Sequence, residues 1–276
     1  MHFWSTATPN QMHIEIARRL LLEGTVPQDA ELITDRKSTV YRIEIERSAY
    51  YVKHYCATDT KERIKRMLRS PRRNIDLWER LKAIGILSPE PLLVAKQGKR
   101  FVLITPEVRL PSIRQHSAKQ GTLGVVAMHA LGRTWGILHT NGLMHVDPSP
   151  SNILLTNGQS EQPMGLLDLD SLYYVGLIPN WLARQRLSQL FSRFSADSLK
   201  QCGALPPPTG FQAFWQGYQT VTKQPAFQHA IAVINRLEKS TAYKRARSHR
   251  EQLLAATAEW RRHICSHGIS NSSSHN

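Results

Sequence analysis

From Glu31 to Val52 apolar and polar residues alternate around two polar turns, Asp35-Arg36-Lys37 and Arg47-Ser48-Ala49. A period of two broken by turn residues is the signature of a sheet with one buried face. Three antiparallel strands are therefore expected, with Lys53 at the end of the third. The period then changes. Ser70-Pro71 opens a helix, Ser as N-cap and Pro in the first position, and Gly85 closes it. Leu77, Trp78, Leu81 and Ile84 share one face of that helix, with Ile75 at its edge. At about 100° per residue Asn74 falls on the same face, whereas Asp76 and Glu79 fall off it. Arg100 to Ile104 reads as a buried strand, and Thr105-Pro106-Glu107-Val108 as a connector. Thr122 to Thr140 follows as a long helix, with Leu123, Val126, Leu131, Trp135 and Leu138 mostly on one broad face.

Beyond that helix the apolar runs Ile153 to Leu155 and Leu166 to Leu167 read as short buried strands joined by the polar turn Thr156 to Pro163. Trp181, Leu182, Leu187, Leu190, Phe191 and Phe194 then recur at helical intervals, and the Trp and Phe among them are assigned to the core. Gly203 to Gly210, with three consecutive prolines, is a rigid connector. Phe211 to Tyr218, Phe227 to Leu237 and Gln252 to His263 predict terminal helices. Ser266 to Asn276, rich in Ser, His and Asn, is expected to be disordered. Strands first and helices afterwards define an α+β chain.

Composition narrows the class. A chain of 276 residues, 41% hydrophobic with six Trp, can build two small lobes with a cleft between them but not a further sizeable domain. No apolar run approaches the ~18–20 residues of a membrane span, and Met1 to Asn10 lacks the basic start and apolar stretch of a secretory signal. A cytoplasmic protein is expected. Cys56, Cys202 and Cys265 are widely spaced, which argues against a disulfide framework and against a structural zinc site. The 36 Lys and Arg exceed the 21 Asp and Glu by 15. Such an excess calls for an anionic partner. It is densest from Lys61 to Arg73, where Lys61, Arg63, Lys65, Arg66, Arg69, Arg72 and Arg73 face only Glu62. A second set comprises Lys239, Lys244, Arg245, Arg247, Arg250, Arg261 and Arg262. A solvated helix face normally mixes both signs, so an anionic membrane or glycolipid surface is the favoured partner, and nucleic acid is not expected.

The candidate chemistry lies in residues 138–170. His145-Val146-Asp147 is followed by Asn152 five residues after the Asp, and by Asp168 after a short hairpin. A catalytic loop of the protein-kinase type needs this order: a carboxylate beside the attacking hydroxyl, then amide and carboxylate oxygens that hold magnesium against nucleotide phosphates. Asp147 is the candidate for the first role, and Asn152 with Asp168 for the second. Pro148 and Pro150 disfavour a helix between them, so the segment should be a fixed loop. A lone His-x-Asp is common. The ordered set, preceded by a helix that ends near Gly142, carries the argument. His145 is assigned loop support rather than proton transfer.

His139-x-x-Gly142-x-x-His145-x-Asp147, then Asn152-Ile153-Leu154-Leu155 and Leu167-Asp168-Leu169-Asp170, resemble the lipopolysaccharide kinase family, which phosphorylates 3-deoxy-manno-octulosonic acid or heptose of the inner core. Upstream, Ser38-Thr39-Val40-Tyr41-Arg42, Tyr51-Val52-Lys53 and Gly85-Ile86-Leu87-Ser88-Pro89-Glu90-Pro91-Leu92 resemble its first strands, strand-borne lysine and proline-rich segment. The resemblance covers about residues 32–195. It implies a protein-kinase-like bilobal fold: an extension over 1–30, an antiparallel-sheet N-lobe over 31–105, a mainly helical C-lobe over 106–264, and a tail over 265–276. It also implies ATP and Mg2+ as cofactors, and an inner-core glycolipid acceptor at the inner face of the bacterial inner membrane. Lys53 would bind the α- and β-phosphates, Ser38 and Thr39 would cover them, and the Thr105–Val108 backbone would meet the adenine.

Three departures stand out. The phosphate turn has no glycine; the helix face that should carry a glutamate for Lys53 carries Asn74; and Asp170 stands where protein kinases have Gly. Glu79 or Glu62 could supply the missing carboxylate, or the lysine could be held otherwise. A kinase with a protein or soluble acceptor, and a kinase-like membrane scaffold without activity, remain the alternatives.

Overall fold

The computed structural model describes residues 1–276 apart from Ala7, Pro9, 36–37, 56–69, Pro71, 157–161, 240–249 and 270–276. Cys56, Glu62, most of the basic segment and Lys244, Arg245 and Arg247 lie outside the described residues. The chain divides into two compact units, Met1–Lys82 with Ser88–Arg109, and Ala83–Leu87 with Leu110–Asn276.

The first unit is built on an antiparallel sheet. Its described strands are β1 (His2–Trp4), β2 (Glu31–Asp35), β3 (Thr39–Ile45), β4 (Ser48–Tyr55), β5 (Leu93–Gln97) and β6 (Arg100–Pro106), in the order β1-β5-β6-β4-β3-β2. The β3–β4 turn is tighter than expected, because Ser48 and Ala49 already pair with Ile45 and Glu44. Only Glu46 and Arg47 are left between the strands. Both have positive φ, 50° and 65°, as the primed two-residue turns that match strand twist require.

Alternation along these strands sends Ile43, Ile45, Val52, Leu93, Ala95, Val102 and Ile104 to one face. There they bury Ile16, Ala17, Leu20 and Leu21 of α1 (Gln11–Leu22). Each fully buried Leu or Ile contributes about 1.5–3 kcal/mol. The first residues of the chain thus cover the sheet, while β1 extends it beside β5. Helix α2 (Arg73–Ala83) starts later than the Ser70-Pro71 signal suggests, because the Ser70 carbonyl accepts the Arg73 N–H in a tight turn that precedes it.

The second unit is mainly helical. The helix expected from Thr122 to Thr140 is α4 (Val125–Thr140), which starts three residues later with Gly124 at its N-cap; ahead of it lies α3 (Ile113–Gln120), a helix the sequence did not announce. Ser112 and Gln115 close a capping box on α3. Helix α4 packs against α6 (Pro208–Gln219) through glycines. A Cβ on Gly132 would lie 1.8 Å from the Phe214 carbonyl oxygen, and one on Gly217 would lie 2.0 Å from that of His129. Phe191 and Phe194 of α5 (Asn180–Cys202) are buried, and Phe191 contacts the rings of Phe211, Phe214 and Trp215. Trp181 is not part of this core. It sits at the exposed start of α5, 65% accessible, contrary to the sequence expectation.

Helices α7 (Ala226–Lys239) and α8 (Arg250–His267) complete the unit, α8 continuing past residue 265 where the tail was expected to begin. Pro208 belongs to α6, so the rigid connector ends at Pro207. Two small antiparallel pairs frame the candidate loop: β7 (Leu143–His145) with β10 (Leu172–Tyr174), and β8 (Ile153–Leu154) with β9 (Gly165–Leu166). No helix among the described residues is long and apolar enough to cross a membrane.

Candidate active site

In the first unit, Lys53 lies within β4 rather than at its end, opposite Val40 on β3 and Leu103 on β6. Its neighbours Val52 and His54 are buried on the α1 side. Lys53 therefore faces the other side of the sheet, half-buried, with its Nζ 5.0 Å from the Tyr55 ring centroid. Thr39 pairs with His54, and its Oγ1 donates to Asp35 Oδ1 at 2.8 Å, which closes the turn between β2 and β3. Ser38 precedes it in the bend. Thr39 is thus one position from the residue that pairs with Lys53, so sheet register brings the turn and the lysine together.

Two of the possible lysine partners can be located. Glu79 is exposed, and Asn74 is buried on α2 as its helical phase predicts. Asp76 pairs with Arg72 at 3.3 Å on the exposed side. The connector shows something the sequence did not flag. Thr105 and Pro106 belong to β6, and Glu107 accepts hydrogen bonds from Arg42 Nε at 2.8 Å and the Tyr51 hydroxyl at 3.3 Å. The hydrogen bond from Arg42 holds the Glu107 carboxyl below the usual range. The Glu107 N–H also donates to the Ala49 carbonyl, so the connector begins pinned to the sheet.

In the second unit, backbone hydrogen bonds close a ring around Asp147, Asn152 and Asp168. The Val146 N–H donates to Ser171 O at 2.8 Å, and the Leu167 N–H donates to Asn152 O at 2.9 Å. Between them, the Ser149 N–H bonds Asp147 O and the Asn152 N–H bonds Ser149 O, each at 2.8 Å. Pro148 and Pro150 are buried within this turn. The β8–β9 pairing of Ile153 with Leu166 thus carries Asn152 alongside Leu167, one residue from Asp168. Asp168 Oδ1 accepts the Asp170 N–H at 3.2 Å and caps the single turn Leu169–Ser171.

Three further side chains hold the loop. His145 is buried, and its Nδ1 accepts the Asp147 N–H at 3.3 Å, which leaves the ring proton on Nε2. Burial lowers its pKa to about 4 against the opposing pull of Asp168 and Asp147, so the ring is neutral at physiological pH. From α5, Arg193 Nη2 forms an ion pair with Asp147 Oδ1 at 2.5 Å, and Gln189 Nε2 donates to Val146 O at 2.8 Å. Gln189 and Arg193 are one helical turn apart, so one helix face fixes both the backbone and the carboxylate of the loop. Neither stood out in the sequence. Their i, i+4 spacing in α5 was readable, but nothing local links them to a loop some forty residues earlier.

No group of three or more His, Cys, Asp or Glu able to hold a metal occurs among the described residues. Asn152 and Asp168 offer hard oxygen donors from adjacent positions. Such a pair suits Mg2+, which keeps waters and takes phosphate oxygens rather than filling an all-protein cage.

The sequence matches the profile described as lipopolysaccharide kinase (Kdo/WaaP) family over residues 24–193. The chain belongs to that family. Its described residues form an α+β arrangement, one unit built on an antiparallel sheet and one mainly helical. No curated protein matches the chain. Among solved structures, the chain is similar to WbdD, at 15% identity over 83% of this chain and 51% of that one, with a TM-score of 0.49. It thus spans about half the length of WbdD. It is also similar to spectinomycin phosphotransferase APH(9)-Ia, solved with ADP and spectinomycin, at 12% identity over 89% and 94% of the two chains, with a TM-score of 0.48.

Proposed function

We propose that this protein is an ATP-dependent kinase that phosphorylates a sugar hydroxyl of the lipopolysaccharide inner core at the cytoplasmic membrane face. The observation that carries the reading is the closed loop that brings Asp147, Asn152 and Asp168 together in a chain of the lipopolysaccharide kinase family. Asp147, oriented by Arg193 and by its N–H on His145, is the group to accept the proton of the acceptor hydroxyl. Asn152 and Asp168 would hold Mg2+, which when bound neutralises phosphate charge and aligns the transferred group. Lys53 would neutralise the α- and β-phosphates. Ser38 and Thr39 would offer backbone N–H groups and hydroxyls to phosphate oxygens, a substitute for a glycine-rich loop.

The net charge of +15 supports an anionic acceptor and an anionic membrane surface. The deciding experiment is transfer from magnesium-ATP to a panel of purified core glycolipids carrying 3-deoxy-manno-octulosonic acid or heptose, beside protein and soluble sugar acceptors. Phosphate on one core sugar hydroxyl supports the reading. Turnover only on protein or small soluble acceptors overturns it.

A further inference from the structure

Immediately after the candidate site, four large apolar side chains stand in water within eight residues. Tyr174 is 52% exposed, Val175 42%, Leu177 84% and Trp181 65%. Scattered exposed apolar residues need no explanation, but a contiguous set of this kind marks an interaction surface. The segment is held firmly. The Val175 N–H donates to the Gly142 carbonyl at 2.8 Å, and the Leu177 N–H donates to Val175 O at 3.0 Å around Gly176, whose φ is +75°. Gly142 and Gly176 touch backbone to backbone: a Cβ on Gly142 would sit 2.1 Å from the Gly176 oxygen. Ile178 and Ala183 turn inward and pack with Met144, against which Val146 is also placed. The exposed tip and the strand leading to Asp147 therefore share one small core.

Charge identifies the occupant. Between Asp170 and Asp197 the chain carries no Asp or Glu; Arg193 is taken up by Asp147, which leaves Arg184 and Arg186, within five residues of Trp181, as the cations beside the tip. A Trp and a Leu at an apolar tip, with only cations behind them, match an anionic bilayer interface, where indole sits at headgroup level and arginines meet lipid phosphates. We infer that Tyr174–Trp181 is a membrane-docking tip that inserts Leu177 and Trp181 into the headgroup boundary of an anionic bilayer. Because it shares a core with the Asp147 loop, docking there sets that loop at a fixed height above the lipid surface. The inference deepens the glycolipid-kinase reading and depends on it only for which membrane is met.

The test uses the full chain with vesicles of phosphatidylcholine and phosphatidylglycerol, without glycolipid or nucleotide. Leu177→Asp with Trp181→Asp should lower vesicle partitioning roughly tenfold or more, while the unfolding temperature stays that of the wild type. Trp135, Trp215 and Trp260 are fully buried and Trp4 and Trp78 are half-buried in the sheet-bearing unit, so in a Trp4→Phe, Trp78→Phe background bromolipid quenching of tryptophan fluorescence should fall sharply on adding Trp181→Phe, which still partitions. Equal partitioning of wild type and the double variant overturns the inference. So does a wild-type dimer in solution that the double variant dissolves, since the face would then be a contact between copies. Failure of the wild type to bind vesicles, beside normal transfer to detergent-dispersed glycolipid, removes the docking tip and leaves the kinase reading standing.

Discussion

Asp147 and Asp168 lie close in the loop but carry different predictions. Asp147→Ala should lower turnover by about 10²–10⁴-fold, the usual worth of a general base, and leave magnesium-ATP binding intact. Asp168→Ala should abolish turnover by weakening magnesium-ATP binding itself, measured by calorimetry; tight binding by that variant would remove the metal role from Asp168. Arg193→Ala tests positioning. Without the ion pair Asp147 can rotate away, and a misplacement of about 1 Å can cost ~10²-fold in rate. The drop should appear in kcat with little change in the KM for ATP, and Arg193→Lys should restore part of it. An equal rise in KM would show that Arg193 serves nucleotide binding instead. The placement of Asp147, Asn152 and Asp168 around one loop was legible because they are close in sequence and their separations are set by one loop and one hairpin. Arg193 and Glu107 were not, because each acts on a partner that only tertiary structure supplies.

Helix-to-helix packing sets the stability of the second unit. At Gly132 the methyl of an alanine would meet the Phe214 carbonyl at 1.8 Å, and backbone cannot yield as a flexible side chain would. Gly132→Ala should therefore force α4 and α6 apart and cost ~1–3 kcal/mol or more, read as a lower urea midpoint. Gly210→Ala within α6, where the added methyl would meet only side-chain atoms at 3.4 Å or more, is the matched control. Elements announced themselves to the extent that their patterns were local. Strands β3 and β4 bury one face and so alternate visibly, whereas β2 leaves Leu32 and Ile33 exposed. The three-residue strands β7 and β10 are too short to show a period and pair across 27 positions, from His145 to Leu172. Helix α3 buries only Ile113 and Ser117, leaving almost no apolar stripe to read. Helix α1 has a clear one in Ile16, Ala17, Leu20 and Leu21 but was assigned to an extension, since its partners lie on strands β3 to β6.

At the scale of the molecule, the division into a sheet unit and a helical unit follows the change from a period of two to one of 3.6. What no pattern conveys is the ionisation of its interior. His139, His145 and His229 are all buried in the helical unit, and burial lowers their pKa values to about 3, 4 and 4, from an ordinary value near 6.5. Arg184 beside His229, and His229 beside His139, push in the same direction. Tyr218 donates its one hydroxyl proton to Gln224 Oε1, so His139 must donate its Nδ1–H to the Tyr218 oxygen, a neutral arrangement. Between pH 6.5 and about 4 the unfolded chain therefore binds protons that the folded one refuses. Stability from these residues is complete above pH 6.5 and is lost as pH falls through that window, with a slope approaching ~1.4 kcal/mol per pH unit for each histidine. Urea midpoints measured from about pH 7.5 to about pH 5 should fall accordingly. Both ring nitrogens of His229 lack a hydrogen-bond partner among the described residues, so His229→Leu should flatten the acid limb without lowering stability at neutral pH. An unchanged acid limb in that variant would show that the His229 ring is reached by water and is not a source of the acid sensitivity.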